Sequence, residues 1–308
     1  MSVGNLEGFG AGLASKTGKQ QMKFDLDRLV TIHLVSPVMQ AMPARRLSIP
    51  VLMYHSIAEE EESGVRAYYR TSTSPTVFRA HMELLYREGY RVCSPSEAVR
   101  MLADPRQPII KAAVITFDDG YRNNYETAFP ILNEFGFGAT IYLPTSYIAD
   151  STVEFKGRKC LNWDEVREMQ KHGVSFGSHT VNHPQLDGLD KSTIERELKD
   201  SKSAIEDKTG SAVESFAYPY AFPQTKTQFK DMLRHMLYEA GYRNGVCTAI
   251  GLATSGSDPL FLERLPVNTC DDSDFLGAKL IGAYNWMGKS QVAIKTAKRW
   301  KARVFRSA

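Results

Sequence analysis

The sequence predicts an α/β fold built on a parallel sheet or barrel, and three observations predict it. Short β-rich runs alternate with amphipathic, often capped, stretches from about residue 49 to residue 250. The chain has 308 residues, long for one small domain, short for two large ones, and ordinary for a single α/β barrel. An apolar run of strand length, Ala112 to Phe117, is broken at once by Asp118-Asp119-Gly120, and βα architectures build their sites at such strand ends.

Residues 1–45 read as an N-terminal extension, 46–288 as the folded domain and 289–308 as a basic C-terminal tail. Met1 to Gln21 is rich in Gly, Ser and Lys and does not open like a signal peptide. Leu29 to Met42 is moderately apolar but interrupted by His33, Ser36 and Pro37, a weak core for an export signal.

Ile49 to Tyr54 is the first strand, and Glu59 to Gly64 a charged loop. Pro75 to Glu88 has helical spacing through Val77, Met82, Leu85 and Tyr86 and stops at Gly89. Pro95 to Leu102 is a shorter helix. Asn123 to Phe135 reads as a helix closed by Gly136, and Ala139 to Leu143 as a strand stopped by Pro144. A helix over Asn162 to His172 precedes the short strand Val174 to Gly177. Ser192 and Glu195 form a capping box ahead of a helix striped by Ile194, Leu198 and Ile205. A strand at Phe216 to Tyr220, a helix at Thr227 to Ala240 and a strand at Tyr242 to Ile250 complete the alternation.

Composition excludes several classes. With 43% apolar and 24% charged residues the chain can bury a core of useful size. A formal net charge of +3, without Lys/Arg runs interleaved with aromatics, argues against nucleic acid as partner. Nothing approaches the apolar length of a spanning helix. No two of Cys93, Cys160, Cys247 and Cys270 form a CxxC pair, which removes zinc-knuckle and redox readings. Free thiols in a reducing compartment follow, with a cytoplasmic location as the expectation. Lys289 to Arg306 is basic with scattered apolar residues. It reads as a solvated terminal helix, with weak peripheral contact to an acidic membrane surface as the other use.

Two segments carry chemistry. Thr116-Phe117-Asp118-Asp119-Gly120 presents two adjacent carboxylates at a strand end, although Asp-Asp-Gly is also an ordinary turn. In Ser178-His179-Thr180-Val181-Asn182-His183-Pro184, two histidines lie four apart directly after another strand. That spacing puts both imidazoles on one side of a helical turn or tight loop. Together the segments offer Asp119, His179 and His183 to one metal. Three protein ligands with an open position for water form a catalytic arrangement. The spare carboxylate, Asp118, is then free to take a proton from water.

TFDDG at 116–120 and SHTVNHP at 178–184 resemble the first two signature motifs of the polysaccharide deacetylases, carbohydrate esterase family 4, over roughly residues 48 to 270. The resemblance implies a distorted (β/α) barrel, here the NodB-homology domain 46–288. It implies a divalent metal, usually Zn2+ with Co2+, Ni2+ or Mn2+ as others. It implies hydrolysis of N-acetyl, less often O-acetyl, groups on sugars of a polysaccharide or oligosaccharide. Within it Asp118 is the base, and Asp119, His179 and His183 are the metal ligands.

Phe216-Ala217-Tyr218-Pro219-Tyr220 resembles the third motif, which places Pro219 and Tyr220 in the groove and a backbone N–H at Tyr220 on the oxyanion. It departs from the family at Ala217, where an Arg usually orients the base, and at Ala221, usually Gly. Arg264 is the candidate replacement, against a reading as a surface residue. The family's late histidine is also absent, since none follows His235. Val51-Leu52-Met53-Tyr54-His55-Ser56 instead resembles the branch acting on poly-β-1,6-N-acetylglucosamine, whose acid comes from an N-terminal strand. His55 is then the general acid, against a strand-end histidine bonded to backbone.

His33, His81, His172 and His235 read as surface or helix residues, and Asp271, Asp272 and Asp274 as a solvated loop or helix start. The competing functional reading is a non-catalytic carbohydrate-binding protein of the same fold, kept open by the altered third motif.

Overall fold

Seven parallel strands close on themselves in chain order. In the computed structural model, which describes residues 26–42, 46–65, 69–288, 290 and 292–293, they are β1 (Val51–Tyr54), β2 (Ala112–Phe117), β3 (Ala139–Leu143), β4 (Val174–Ser178), β5 (Ser215–Ala217), β6 (Asn244–Ile250) and β7 (Leu262–Pro266). Each pairs with the next, and β7 returns to β1 through Leu265–Leu52 and Pro266–Met53. The ring is therefore a seven-stranded (β/α) barrel, without a free edge inside it. A short strand, Arg91–Val92, adds to the outside of β2.

Strand alternation divides the core in two. Val51, Val114, Tyr142, Ala217, Val246 and Leu262 fill the barrel interior. Leu52, Ile115, Phe117, Ile141 and Phe216 point outward into the layer beneath the helices. Six helices contribute to that layer, α1 (Pro75–Arg87), α3 (Phe129–Glu134), α4 (Trp163–Lys171), α5 (Lys191–Thr209), α6 (Thr227–Glu239) and α7 (Ser273–Leu280), while α2 (Pro95–Ala103) packs through Ala98, Met101 and Leu102 on the interior cluster.

The helix starts follow from short polar side chains that accept otherwise orphaned backbone N–H groups. Ser94 with Glu97, and Asn162 with Glu165, form reciprocal capping boxes on α2 and α4. The predicted Ser192–Glu195 box on α5 is displaced. Asp190 is the cap, accepting from the Thr193 backbone at 2.9 Å, and Ser192 instead donates to the Asp190 carboxylate. A carboxylate two residues earlier outcompeted the serine.

The predicted helix 123–135 is split. A π-helical turn, Asn124–Ala128, precedes α3, and Pro130 stands just inside α3. Proline has no N–H to give back to the turn before it, so the wider turn forms there. Two predicted strands are shorter than expected: Phe216–Tyr220 ends at Ala217, and Tyr242–Ile250 begins at Asn244.

Part of the segment read as an N-terminal extension packs on the barrel. Residues 26–41 are helical, with a π-helical turn at Val30–Val35, and Thr31 is fully buried against the body. Trp286 Nε1 donates to Thr31 Oγ1 at 3.1 Å, joining the two chain ends. Residues 1–25, and most of the basic tail 289–308, lie outside the described residues. The four cysteines are free thiols.

Candidate metal centre

The C-terminal mouth of the barrel receives every residue singled out as chemical. Alternation puts Val114 and Thr116 inside the barrel, and the next residue of that parity is Asp118. On β7 the inward positions are Leu262 and Arg264. Their side chains meet on the barrel axis. Arg264 Nη1 and Nη2 each donate to one oxygen of Asp118 at 2.7 Å, while Nε donates to the Cys247 carbonyl at 3.1 Å. Arg264 is 0% exposed, so the surface reading of this residue is wrong. The guanidinium fork matches a carboxylate with two parallel bonds, which fixes the plane of Asp118.

Asp119 takes the opposite parity but turns back to the mouth through a left-handed backbone, φ 70°. There it meets the segment after β4. Asp119 Oδ1 lies 3.2 Å from His183 Nε2 and 3.7 Å from His179 Nε2. One ligand atom from each of the three residues falls within 4.8 Å of the others. His179 Nδ1 donates to the Ala217 carbonyl at 2.8 Å, so its Nε2 is left as the bare lone pair facing the carboxylates.

The donor set fits a divalent cation on a second ground. Asp119 Oδ1 is buried without a hydrogen-bond partner among the described residues. Such an atom costs about 1–3 kcal/mol unless something satisfies it. The other oxygen of Asp119 is held, by Tyr121 Oη at 2.9 Å and by Lys156 Nζ at 3.5 Å. Asp119 is thus oriented to offer one oxygen.

Backbone strain converges on the same place. Five non-glycine residues among those described have φ in the left-handed region: Asp119, Lys156, Thr180, His183 and Tyr220. All five line this mouth. Such conformations cost of order 1–3 kcal/mol each and persist only when surrounding contacts impose them. For the histidine loop the contacts are explicit. Glu197 on α5 accepts from the backbone of Val181 at 2.8 Å and Asn182 at 2.9 Å, and Thr180 Oγ1 accepts from His183 N at 3.0 Å.

The rim was not read from the sequence. A hairpin, Glu154–Phe155 with Arg158–Lys159, turns at Lys156-Gly157 and brings Lys156 Nζ to 4.4 Å from the Phe155 ring centre and 5.2 Å from that of Tyr220. Arg158 ties the hairpin to the 58–62 loop by donating to Glu60 at 2.7 Å and Glu62 at 3.2 Å. Tyr121, Lys156 and Glu197 are the functional neighbours that were missed. Tyr121 directly after Gly120, and the Lys-Gly turn, were the only available signals.

Pro219 is buried beside the site, and Tyr220 is half exposed with its ring 4.5 Å from that of His183. The Tyr220 backbone N–H has no hydrogen-bond partner among the described residues. His55 follows β1 at the mouth, partly buried, and its carbonyl accepts from Asn124 Nδ2 at 2.7 Å.

Charge states follow from these surroundings. Burial alone would raise the Asp118 carboxyl, but the Arg264 charge and its hydrogen bonds hold it below the ordinary range. Asp119 is likewise lowered against its burial, chiefly by the proximity of His183 to its Oδ1. Burial pushes His179 down to about 4, against the pull of Asp118, so it is a neutral imidazole at pH 7. Burial also lowers His55, opposed by Asp118 and then Asp119.

Asp271 is not the solvated residue expected. It is 2% exposed and paired with Lys279 at 2.5 Å. Asp272 caps α7 through the Phe275 backbone, and His81 is fully buried on α1.

The family model described as polysaccharide deacetylase matches residues 106–244. A Bacillus subtilis (strain 168) protein named as a polysaccharide deacetylase, YxkH, is 30% identical over 230 residues, covering 75% of this chain and 75% of that protein. The poly-beta-1,6-N-acetyl-D-glucosamine N-deacetylase of Staphylococcus aureus (strain MRSA252) is 24% identical over 163 residues, half of this chain and 53% of that one. Among solved structures, the Streptococcus pyogenes deacetylase PplD in complex with acetate superposes with a TM-score of 0.66 at 28% identity, covering 76% of this chain and 99% of that one. The chain belongs to the polysaccharide deacetylase family.

Proposed function

We propose that this chain is a metal-dependent hydrolase that removes acetyl groups from N-acetylated sugars of a polysaccharide or its oligosaccharide precursor. The observation that carries this reading is the contrast between adjacent carboxylates. Asp118 is clamped through both oxygens by Arg264, while Asp119 shows a bare oxygen to two histidines. One is built to stay an oriented base and the other to be a ligand.

Asp119, His179 and His183 would hold the ion. When bound it supplies a Lewis acid for the acetyl carbonyl and acidifies water at the site. Asp118, held ionised by Arg264, takes the water proton as attack on the carbonyl begins. The Tyr220 N–H donates to the developing oxyanion. His55 delivers a proton to the departing sugar nitrogen, and the charges of Asp118 and Asp119 oppose the burial that lowers its pKa. Arg264 supplies from β7 the clamp that Ala217 lacks, which weakens the case for a non-catalytic carbohydrate-binding protein. The S. aureus relative's printed name makes β-1,6-linked N-acetylglucosamine the first substrate to try.

The test is acetate release from β-1,6- and β-1,4-linked N-acetylglucosamine oligomers by protein stripped with chelator and reloaded separately with Zn2+, Co2+, Ni2+ or Mn2+. Release that needs the metal is expected from at least one polymer. Stoichiometric metal without release from any acetylated sugar would overturn the reading in favour of binding alone.

A further inference from the structure

The segment 26–42, helical as far as Ala41, presents apolar side chains outward. Thirteen large hydrophobics are exposed among the described residues, and six of them fall in these 17 positions. That density separates the segment from the rest of the surface, where single exposed apolar residues are normal. Leu26, Leu29, Leu34, Val38 and Met42 are each between 52% and 65% exposed. The other side of the helix is spoken for. Thr31 and Ser36 are buried, Ile32 packs on the core, and Arg28 lies over Phe275 and pairs with Asp272. The segment is therefore fixed to the barrel by one face and leaves the other to solvent.

Charge accompanies it. Thr31 touches Trp286, and Ser290 Oγ donates to the Trp286 carbonyl at 3.1 Å, so the chain leaves the described region beside this helix. Residues 289–308, which follow, contain seven Lys and Arg and no Asp or Glu, together with Trp300 and Phe305. An apolar stripe on a helix, with a basic segment starting at its side, has the composition that holds a protein in the headgroup region of an anionic bilayer. No helix among the described residues is long and apolar enough to cross one.

We propose that the outward stripe Leu26, Leu29, Leu34, Val38 and Met42 seats this protein on an anionic lipid surface, with the basic end 289–308 supplying the electrostatic attraction. The surface is independent of the metal centre, so the enzymatic reading and this one fail separately.

The test is flotation of the full chain with vesicles of phosphatidylcholine alone, and with about 30% phosphatidylglycerol added. Binding to the anionic vesicles only, weakened in about 0.5 M NaCl, is expected. The double variant Leu29→Glu/Leu34→Glu should partition at least about tenfold less while retaining its melting temperature and acetate release from a soluble oligomer. Failure of the natural chain to float, or equal flotation of the variant, overturns the proposal. Sedimentation of both proteins without lipid reads the competing occupants. A dimer converted to monomer by the variant would assign the stripe to a second copy. Protection of Leu29 and Leu34 by residues 1–25, seen as new apolar exposure when those residues are removed, would assign it to the chain's own start. Either result overturns the lipid reading.

Discussion

Two carboxylate–cation pairs among the described residues are buried on both sides, and they are used in opposite ways. Asp118 and Arg264 meet inside the barrel at its mouth. Asp271 and Lys279 meet between α7 and the seam where β7 rejoins β1. In the second pair both carboxylate oxygens and the ammonium are held by neighbours. Lys279 also donates to the Pro266 carbonyl at 2.8 Å, and the second Asp271 oxygen accepts from Asn268 N at 2.8 Å. The Asp271 carbonyl accepts from His81 Nε2. A carbonyl can only accept, so His81 carries its proton on Nε2, and its Nδ1 accepts from Tyr54 Oη at 3.0 Å. That network closes the barrel. The first pair leaves the carboxylate facing the mouth beside His179 and His55. Both carboxylates accept through both oxygens, so the difference lies in the setting: Asp271 is enclosed at the seam by Lys279 and backbone, whereas Asp118 stands at the mouth beside His179 and His55.

The largest expected effects come from removing one partner of either pair. Arg264→Met and Lys279→Met each leave a buried carboxylate without its cation, at a cost of about 3–5 kcal/mol in urea unfolding. Activity separates them. The folded Lys279→Met protein should keep its turnover, whereas Arg264→Lys, which preserves charge and loses the fork, should lose roughly a hundredfold in acetate release. Equal activity losses at the two sites would erase the distinction drawn here.

The next effect concerns His55. His55→Ala should slow hydrolysis of an N-acetyl sugar by about 10²–10⁴-fold. The loss should shrink for an acetyl ester with a good leaving group, which needs no proton. A uniform loss on both substrates would remove the general-acid role.

The smallest effect is in stability against pH. Burial lowers the His81 pKa, only partly offset by the Asp271 carbonyl and charge. A lowered folded pKa means that the unfolded chain takes the proton first as pH falls. Stability from neutral His81 is therefore complete above about 6.5 and declines below it, through the lowered pKa, by on the order of 1 kcal/mol. His179 and His55 act with the same sign. Urea titrations at pH 7.5 and 5 should show the decline, and His81→Gln should flatten it without abolishing it.

The sequence made the local part of this legible. Ala112–Phe117, Ala139–Leu143 and the capped helices are set by neighbours in the chain, and the two motifs sit directly on strand ends. Arg264 was reachable only as a guess, because its partner is 146 positions away and strand parity had to be known for both. Asp271 was misread for the same reason, and His81, on a helix as read, is buried there rather than at the surface. A carboxylate in a DDxD run looks solvated until a lysine eight residues later folds back onto it. The hairpin that carries Lys156 has too few residues for a periodic signal. The strained turns at Asp119, Thr180 and His183 have no signature at all, since glycine would be the expected occupant.

The central claim is the division of labour between Asp118 and Asp119, and Asp118→Asn tests it most directly. The purified variant should bind one equivalent of divalent metal by elemental analysis, remain folded by its thermal melt, and release acetate at least about a thousandfold more slowly. Metal bound with turnover retained would contradict the account, as would loss of the metal together with the activity.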